Sequence, residues 1–522
     1  MRTKVKTIAA ALLAALLPLA SQAAKPFTLM EASIADIHQA MQAGSLSCRG
    51  LVQQYLDRIA AYDKQGPALN AILYLNPKAL EQADALDRQF KQTGKMAPLH
   101  CIPTVLKDNY DTADMPTTGG SASLAGAQPA QDGFALARLR KDGALVLAKT
   151  NMQEFALGGV SISSLGGQVK NPYDLKLTPG GSSGGTAVAL ASNFATVGTG
   201  SDTVNSVRSP ASANSLVGIR PTHGLISRAG ILPVSFTMDD AGPLARSVSD
   251  AARMLDAMAG YDPADPLTAL STGHQPKTYT ASLDAKALRG ARIGVLKTMF
   301  GTKPEHQEVN RVMERAIDVL KKQGAIIVPI DAPEMDTDQL NNKLDVQKYE
   351  YKSVLNAYLT APGHSAPAHS LEEVLASGKS HPSLQKFLVS AQSYANGLTE
   401  ADYKDRMLKI DALKISLANL MARNQLDAMV YPHQKRLPVP IGEYNQSDRN
   451  GILTALTGFP SIAVPAGFST PDADAPVGVP VGMEIIGLPW TEPRLIGYAY
   501  SFEQASKARK LPASAPALAQ RK

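Results

Sequence analysis

The stretch from Thr178 to Pro221 constrains the fold more than any other part of this 522-residue chain. It opens with a block made only of Gly and Ser, from Gly180 to Gly185, and continues into small residues with helical character from Thr186 to Ala195. A second turn-rich block ends in Ser206-Val207-Arg208-Ser209-Pro210. Glycines cluster where the backbone passes close to another group or takes a positive φ. Two such blocks joined by one small-residue helix predict that their serine hydroxyls face each other, as in an active site.

Alternating helical and strand patterns elsewhere predict a mixed β-sheet flanked by helices, an α/β fold in one large domain. The apolar strand 103–106 places Lys107 at its C-terminal end, where open α/β sheets bind ligands. The region of about 335–424 is more polar and helical, and its tyrosines are read first as core residues. The predicted helices are 33–42, 45–61, 77–92, 135–142, 247–260, 305–323 and 493–506, and the predicted strands are 71–75, 103–106, 144–147, 292–296, 325–329, 426–431, 461–465 and 481–486.

The first 23 residues have the pattern of a secretory leader. Three basic residues among the first six precede an apolar run from Ile8 to Ala20, and Ser21-Gln22-Ala23 ends in small residues. This pattern predicts cleavage after Ala23. A membrane anchor is the alternative, but the run is short for a bilayer span. We therefore expect a periplasmic or secreted protein, without membrane attachment once the leader is removed.

Charge and cysteine content exclude several function classes. The formal net charge is +6, and removal of the three basic leader residues leaves 6 − 3 = +3. The remaining Lys and Arg residues are scattered along the chain and form no basic stripe. Nucleic acid is therefore not an expected partner. The two cysteines, Cys48 and Cys101, are read as separate buried thiols, although export would permit a disulfide. The nine histidines form no HExxH pattern and no paired CxxC occurs, so neither metal nor cofactor is expected.

The Gly-Ser block fits neither of two known motifs, the nucleophile elbow of α/β-hydrolases and the phosphate-binding loop. Gly180-Gly181-Ser182-Ser183-Gly184 satisfies G-x-S-x-G, but that elbow requires a buried strand directly before its serine. Residues 171–179 read Asn-Pro-Tyr-Asp-Leu-Lys-Leu-Thr-Pro, which is a loop pattern and not a buried strand. The block also lacks the Lys-Ser/Thr ending of a phosphate-binding loop.

The sequence resembles the amidase signature family from about residue 34 to about residue 504. Several motifs occur in the family's order, which is far more specific than one short motif. The resemblance rests on the following residues: Lys107 within Pro103–Asn109, the segment Ala148–Phe155, Gly180–Gly185, Asp202, Ser206, Arg208, Pro210, Arg220-Pro221-Thr222, Gly224, Thr457–Pro460 and Pro480–Met483.

The resemblance implies the family's fold and a Ser-Ser-Lys relay. Ser206 would be the nucleophile, Ser182, in a cis peptide, the bridge, and Lys107 the general base and then the acid for the leaving amine. A serine hydroxyl needs such a base, and lysine is neutral only where burial lowers its pKa. The apolar Val105 and Leu106 favour burial, and Asp108 should point to the opposite face of the strand.

Backbone N–H groups of Thr203, Val204, Asn205 and Ser206 would form the oxyanion hole by family position. Val204-Asn205 departs from the Gly-Gly pair that usually precedes the nucleophile. Asn tolerates a left-handed conformation, whereas β-branched Val does so poorly. The Asn205 side chain could add a donor.

The remaining matched positions are given supporting roles. Ser183 is expected to hold the glycine loop or Lys107 by hydrogen bonds. Asp202 and Arg208 are expected to be structural.

The sequence thus predicts an amide hydrolase that converts a carboxamide, or a substituted amide, to a carboxylate and ammonia or an amine through an acyl-serine. One alternative is a glutamine-hydrolysing component of an amidotransferase, and another is a binding protein that kept the fold with weak or no catalysis. The expected partner is a small-molecule amide, and the chain would be a monomer or homodimer. Residues 24–510 form the expected amidase domain, with substrate entry near 335–424, and residues 511–522 the expected disordered tail.

Overall fold

The centre of the molecule is a mixed β-sheet. The computed structural model describes residues 27–519, so the predicted leader at residues 1–23 lies outside the described part. The strands, numbered along the chain, are β1 (Ile72–Leu75), β2 (Pro103–Lys107), β3 (Gln128–Pro129), β4 (Leu145–Thr150), β5 (Ile162–Ser163), β6 (Gly167–Gln168), β7 (Val197–Asp202), β8 (Val217–Arg220), β9 (Asp240–Ala245), β10 (Arg292–Leu296), β11 (Ile326–Ile330), β12 (His364–Ser365), β13 (Ala428–Pro432), β14 (Ser461–Phe468) and β15 (Pro480–Ile486).

Eleven of these strands form one sheet in the order β1-β4-β2-β7-β9-β8-β14-β15-β13-β10-β11. β4, β2 and β7 run parallel, as do β13, β10 and β11, while the strands between β7 and β13 pair antiparallel. The predicted mixed α/β sheet is therefore confirmed. The turn-rich reading of the segment before Ser206 is wrong for residues 197–202, which form β7 inside the sheet.

Helices pack against the sheet. All seven helices predicted by residue range are confirmed to within a few residues at each end. The α-helices are α1 (Ile34–Gln42), α2 (Cys48–Tyr62), α3 (Ala79–Thr93), α4 (Phe134–Lys141), α5 (Gly184–Ala191), α6 (Arg208–Ala213), α7 (Val248–Met258), α8 (Gln307–Lys322), α9 (Thr337–Leu344), α10 (Gln347–Leu359), α11 (Leu371–Ala376), α12 (Gln385–Ser393), α13 (Ala401–Arg423), α14 (Ile452–Thr457) and α15 (Glu492–Ser506).

The parallel strands position the site. β2 pairs with β7 through Thr104 opposite Val197 and Val105 opposite Gly198. Because parallel neighbours end at the same edge of a sheet, Lys107 and Asp202 both lie at that edge. The helix α5, which precedes β7, begins at Gly184 and is buried throughout. The chain thus returns the segment after Asp202 to the vicinity of the Gly-Ser block that precedes α5.

The two cysteines are joined, so the reading as separate thiols is wrong. Cys48 and Cys101 form a disulfide with their Cα atoms 5.7 Å apart. The bond links the first residue of α2 to the segment before β2. The local sequence pattern does not indicate that these two segments are in contact. Both residues are fully buried. The disulfide closes a loop with a sequence separation of 53.

The C-terminal segment is packed rather than disordered, so that expectation is wrong for residues 511–519. Ala515 is buried. The guanidinium of Arg58, in α2, donates hydrogen bonds of 2.8 Å to the carbonyls of Ala515 and Pro516, and Ser514 Oγ donates to the Pro172 carbonyl at 2.6 Å. Arg58 therefore supplies two of the hydrogen bonds that order this segment, and Ser514 supplies a third.

Candidate active site

Lys107, Ser182 and Ser201 meet at the C-terminal edge of the parallel strands. Lys107 Nζ lies 2.6 Å from Ser182 Oγ, 2.8 Å from Ser201 Oγ and 3.2 Å from the Ser201 carbonyl oxygen. Asn109 Nδ2 also donates to Ser201 Oγ, at 2.9 Å. A neutral lysine has two N–H donors and one lone pair. With both Ser201 oxygens as acceptors, that lone pair is left for the hydroxyl proton of Ser182.

Burial sets the protonation state of Lys107. Its side chain is fully buried, and this burial lowers the pKa of Lys107 to about 7, although the carboxylates of Asp202 and Asp239 act in the opposite direction. Asp108, the next residue, does not neutralise it. The Asp108 carboxylate instead pairs with Lys149 at 3.2 Å, as expected for a side chain on the opposite face of the strand. A substantial fraction of Lys107 is therefore neutral near pH 7.

The Gly-Ser block is fixed by its neighbours. Ser161 Oγ donates to the Gly180 carbonyl at 2.8 Å and accepts from the Gly184 N–H at 3.0 Å. The Gly181–Ser182 peptide bond is cis, as the resemblance implies. A Cβ at Gly181 would lie 2.8 Å from the Gly159 carbonyl carbon, so only glycine fits there.

Ser183 contacts the segment that carries Ser206 rather than Lys107. Its N–H donates to the Ser206 carbonyl at 3.2 Å, and its hydroxyl donates to the Ser201 carbonyl at 3.4 Å. The first of these bonds ties the block carrying Ser182 to the segment carrying Ser206. No hydrogen bond joins Ser206 Oγ to any other residue within 27–519, and catalytic hydrogen bonds are often long before substrate binds.

The segment 203–206 presents free N–H groups. Its carbonyls are held by the protein: Val204 by Arg208 Nη2 at 2.6 Å, Asn205 by the Ser209 N–H at 2.7 Å, and Ser206 by Ser183. By contrast, none of the four N–H groups from Thr203 to Ser206 donates to an acceptor within residues 27–519. Four free adjacent donors beside a serine suit an oxyanion.

Val204 and Asn205 adopt ordinary backbone conformations. Neither residue has a positive φ, so the substitution of Gly-Gly imposes no left-handed strain on Val204. Asn205 Oδ1 accepts from the Gly451 N–H at 3.0 Å. The Asn205 side chain thus attaches the segment to the start of α14, and its carbonyl oxygen is not available to the substrate.

A buried ionic network supports the same segment. Arg208 Nε donates to Asp202 at 3.0 Å and its Nη1 to Glu484 at 2.5 Å. Arg220 pairs with Asp202 at 3.1 Å and with Asp240 at 2.7 Å. Burial alone would raise the pKa of Asp202, but Arg208 and Arg220 hold it well below its usual range. Asp202 also accepts from the Val207 N–H at 3.0 Å, which fixes the turn that carries Ser206.

A cavity of about 510 Å³ opens onto Ser206. Its floor is the segment Thr203–Ser206, and its walls come from α9, the start of α10, the residues around Phe387 and the segment Asn445–Arg449. The part of the lining from Thr337 to Phe387 lies in the region 335–424, where substrate entry is expected. Most of the tyrosines of that region, such as Tyr349 and Tyr351, are core residues.

Sequence reasoning missed three residues at this site. Ser201 accepts from Lys107, Asn109 donates to Ser201, and Arg449 lines the cavity. Ser201 directly precedes Asp202, and Asn109 follows Lys107 by two positions, so both lay inside recognised motifs. Arg449 lies in a polar loop without a pattern, and only the tertiary structure brings it to Ser206.

The described part of the chain offers no group of three or more His, Cys, Asp or Glu side chains arranged to hold a metal. Within residues 27–519, none of the helices combines the length and apolar character needed to cross a membrane.

Comparison with known proteins identifies the family. The family model described as "Amidase" matches residues 50–496. The chain belongs to the amidase family. Among its relatives, a probable amidase of Arabidopsis thaliana is 35% identical over 507 residues, which cover 93% of this chain and 92% of that protein. A component of the glutamyl-tRNA(Gln) amidotransferase of Geobacter sp. (strain M21) is 34% identical over 502 residues, 92% and 98% of the two chains.

The structure of this chain is also similar to that of a peptide amidase. The crystal structure of the native peptide amidase from Stenotrophomonas maltophilia superposes with a TM-score of 0.84 at 39% identity, covering 93% of this chain and 99% of that one. The predicted family and its single large α/β domain are thereby confirmed. Membership of the amidase family supports amide hydrolysis as the general activity.

Proposed function

We propose that this protein hydrolyses carboxamides on peptide-like acyl groups, giving a carboxylate and ammonia through an acyl-Ser206 intermediate. The observation that carries the proposal is the buried amine of Lys107, 2.6 Å from Ser182 Oγ, next to a cavity that opens onto Ser206. The similarity to a peptide amidase and a cavity of about 510 Å³ favour an acyl group larger than a simple aliphatic one.

The first half of the reaction forms the ester. Neutral Lys107 takes the proton of Ser182 Oγ, which in turn takes the proton of Ser206 Oγ. Ser206 Oγ attacks the amide carbon, and the carbonyl oxygen becomes an oxyanion that the N–H groups of residues 203–206 stabilise. As the C–N bond breaks, the proton held by Lys107 returns through Ser182 to the nitrogen, and ammonia leaves.

The second half consumes water. A water molecule loses a proton to the Ser182–Lys107 pair and attacks the acyl carbon. The bond to Ser206 Oγ breaks, and the proton returns to that oxygen. The net reaction is R–CO–NH₂ plus H₂O to R–COO⁻ plus NH₄⁺, so Lys107 ends in its initial state.

The test is ammonia release by protein beginning at Ala24, from a panel of N-acetylated amino acid amides, free glutamine and simple aliphatic amides. Ser206→Ala and Lys107→Ala should each lower kcat/KM by roughly 10⁴-fold. The matched control is Ser209→Ala, because the Ser209 hydroxyl lies three positions from Ser206, buried and without a partner. Activity on glutamine alone would favour an amidotransferase-type glutaminase. Absence of turnover, with no acylation of Ser206 by an active-site probe, would favour a binding protein.

We also propose that the mature protein is exported. The leader pattern at residues 1–23 is one support, and the Cys48–Cys101 disulfide is a second, because such bonds persist in oxidising compartments. Export separates the protein from tRNA and ATP, which argues against an amidotransferase role. The intact mass of protein from the periplasmic fraction should correspond to a chain beginning at Ala24, and a full-length cytosolic protein would contradict the proposal.

A further inference from the structure

Arg449 is a charged side chain in the lining of the Ser206 cavity that no other residue pairs. It is partly buried, and within residues 27–519 its guanidinium makes no hydrogen bond or ion pair. Burial lowers the pKa of Arg449 to about 10, opposed by the carboxylate of Asp202, so the group remains charged at neutral pH. An unpaired charge with reduced access to water is costly unless a partner arrives.

Gly159 makes room for this guanidinium. A Cβ built on Gly159 would lie 2.2 Å from Nη1 and 2.6 Å from Cζ of Arg449. The guanidinium therefore rests directly on the backbone of a glycine. Gly159 in turn packs on Gly181, the residue before Ser182. These contacts place Arg449 against the loop that carries the relay.

The other side of Arg449 is also connected to the relay. Two residues later, the Gly451 N–H donates to Asn205 Oδ1, so the segment carrying Arg449 is attached to the oxyanion segment. The guanidinium thus lies on the backbone of Gly159, while the main chain that carries it is attached to the oxyanion segment through Gly451.

The acidic residues of the cavity do not remove this charge. Asp345 accepts from the backbone and side chain of Gln347, and Asp448 accepts from Ser447 Oγ at 3.0 Å. Asp338 also lines the cavity and is exposed. Arg449 is therefore the cationic group that a bound substrate can still pair.

We infer that Arg449 is a specificity-determining residue that binds a carboxylate on the acyl part of the substrate, as in the amide of an acidic residue. The inference rests on the proposed function and narrows its substrate class. A guanidinium offers a fixed fork of donors that matches a carboxylate with two parallel hydrogen bonds. A neutral acyl group of the same size would leave the charge without a partner.

The test compares N-acetylglutamic acid α-amide with N-acetylmethionine amide, whose side chains are similar in length and differ in charge. Wild-type kcat/KM should favour the glutamic acid amide by about tenfold or more, chiefly through KM. Arg449→Gln should reduce this ratio by about tenfold, and Gly159→Ala should reduce it in the same direction by displacing the guanidinium. Arg449→Lys, which keeps the charge but not the fork, should retain part of the preference.

A matched control is Arg436→Gln. Arg436 is also partly exposed and lies 13 positions earlier, outside the cavity lining. Its replacement should leave the substrate ratio unchanged.

Three outcomes would overturn the inference alone: a wild type that treats both amides equally or prefers methionine amide, an equal loss on both amides in Arg449→Gln, or the same ratio change in Arg436→Gln. The wild-type ratio tests the inference even where a variant fails to fold. Failure of wild type to release ammonia from any amide would instead reject the proposed function.

Discussion

Asp108 and Lys149 form an ion pair, with 3.2 Å between carboxylate and ammonium and both side chains fully buried. Lys149 thus neutralises the carboxylate of Asp108, which is the acidic residue nearest in sequence to Lys107. As a result Lys107 contacts hydroxyl and carbonyl oxygens instead of an anion. Two lysines on neighbouring parallel strands thus differ in role because one has the carboxylate and the other lacks it.

The protonation of Lys107 predicts the pH dependence of the reaction. In the proposed mechanism Lys107 must be neutral to act as the base, and burial lowers its pKa to about 7. We expect kcat/KM to rise with pH through a midpoint near 7 and to remain level above about pH 8. The measurement is kcat/KM for one amide between about pH 5 and 9. A decrease from pH 6 to 8 would show that the protonated lysine is required.

Replacement of Lys149 should alter this profile. Lys149→Met leaves the buried Asp108 carboxylate, one residue along the chain from Lys107, without its cation, and an uncompensated negative charge favours the ammonium form of a lysine. We expect the midpoint to move above pH 7 and the free energy of unfolding to fall by about 3–5 kcal/mol, because a buried charge loses its partner. The double variant Asp108→Asn/Lys149→Met should bring the midpoint back towards 7. An unchanged midpoint in the single variant would mean that Asp108 does not influence the base.

A charge at Asn205 should impair catalysis without loosening the segment. Asn205→Asp keeps the oxygen that accepts from the Gly451 N–H but places a negative charge beside the proposed oxyanion. We expect kcat to fall by roughly 10²-fold, the scale of losing one oxyanion donor. Asn445→Asp adds the same charge at another part of the cavity lining and should reduce kcat far less. Equal effects of the two variants would argue against an oxyanion at residues 203–206.

The buried ionic network around Arg208 should contribute strongly to the stability of the fold. Arg208→Met leaves Asp202 and Glu484 without their shared partner, and we expect a loss of about 3–5 kcal/mol in unfolding free energy. Arg494→Met removes an ion pair of 3.4 Å in which both side chains are at least one-third exposed, and should cost less than about 1 kcal/mol. Urea unfolding of both variants measures the contrast. Similar losses would mean that the network contributes no more than a surface pair.

The disulfide should stabilise the native state. The variant Cys48→Ser/Cys101→Ser should lower the free energy of unfolding by about 2–4 kcal/mol, because the disulfide restricts the unfolded chain. Denaturant unfolding of the oxidised wild type and of the variant measures this difference. Reducing agent should lower the stability of the wild type and leave that of the variant unchanged. Equal stability of the oxidised wild type and the variant would contradict the expectation.

Local sequence patterns were enough to predict those strands and helices whose own residues show a clear hydrophobic periodicity or a capping residue. Lys107 follows a short apolar run, and that run alone placed it at a strand end beside the site. Most predicted helices also have clear ends: Ser33, for example, caps α1 by accepting from the Asp36 N–H at 3.2 Å. In these segments the prediction agrees with the structure because the strand or helix is determined mainly by its own residues.

Other elements depend on contacts between distant segments. β7 reads Val-Gly-Thr-Gly-Ser-Asp, without the apolar alternation of a strand. Its glycines allow close packing, since a Cβ at Gly198 would lie 2.6 Å from Thr186 Cγ2. β9 contains Gly242, where a Cβ would lie 2.0 Å from the Ile219 carbonyl oxygen. Neither strand can be predicted from its own residues. The position of Arg449, likewise, is set by Gly159, almost 300 residues earlier.

The hydrogen bonds of Arg58 connect positions 457 and 458 residues apart. Since a chain is synthesised from its N-terminus, α2 is made early, yet this arginine acquires its full set of acceptors only when almost the whole sequence is present. A version shortened before Ala515 would therefore leave the buried guanidinium of Arg58, in α2, without two of its acceptors. The carbonyls of Ala515 and Pro516 thus complete the hydrogen bonding of a helix near the start of the chain. A C-terminal purification tag should therefore be separated from these residues by a flexible spacer.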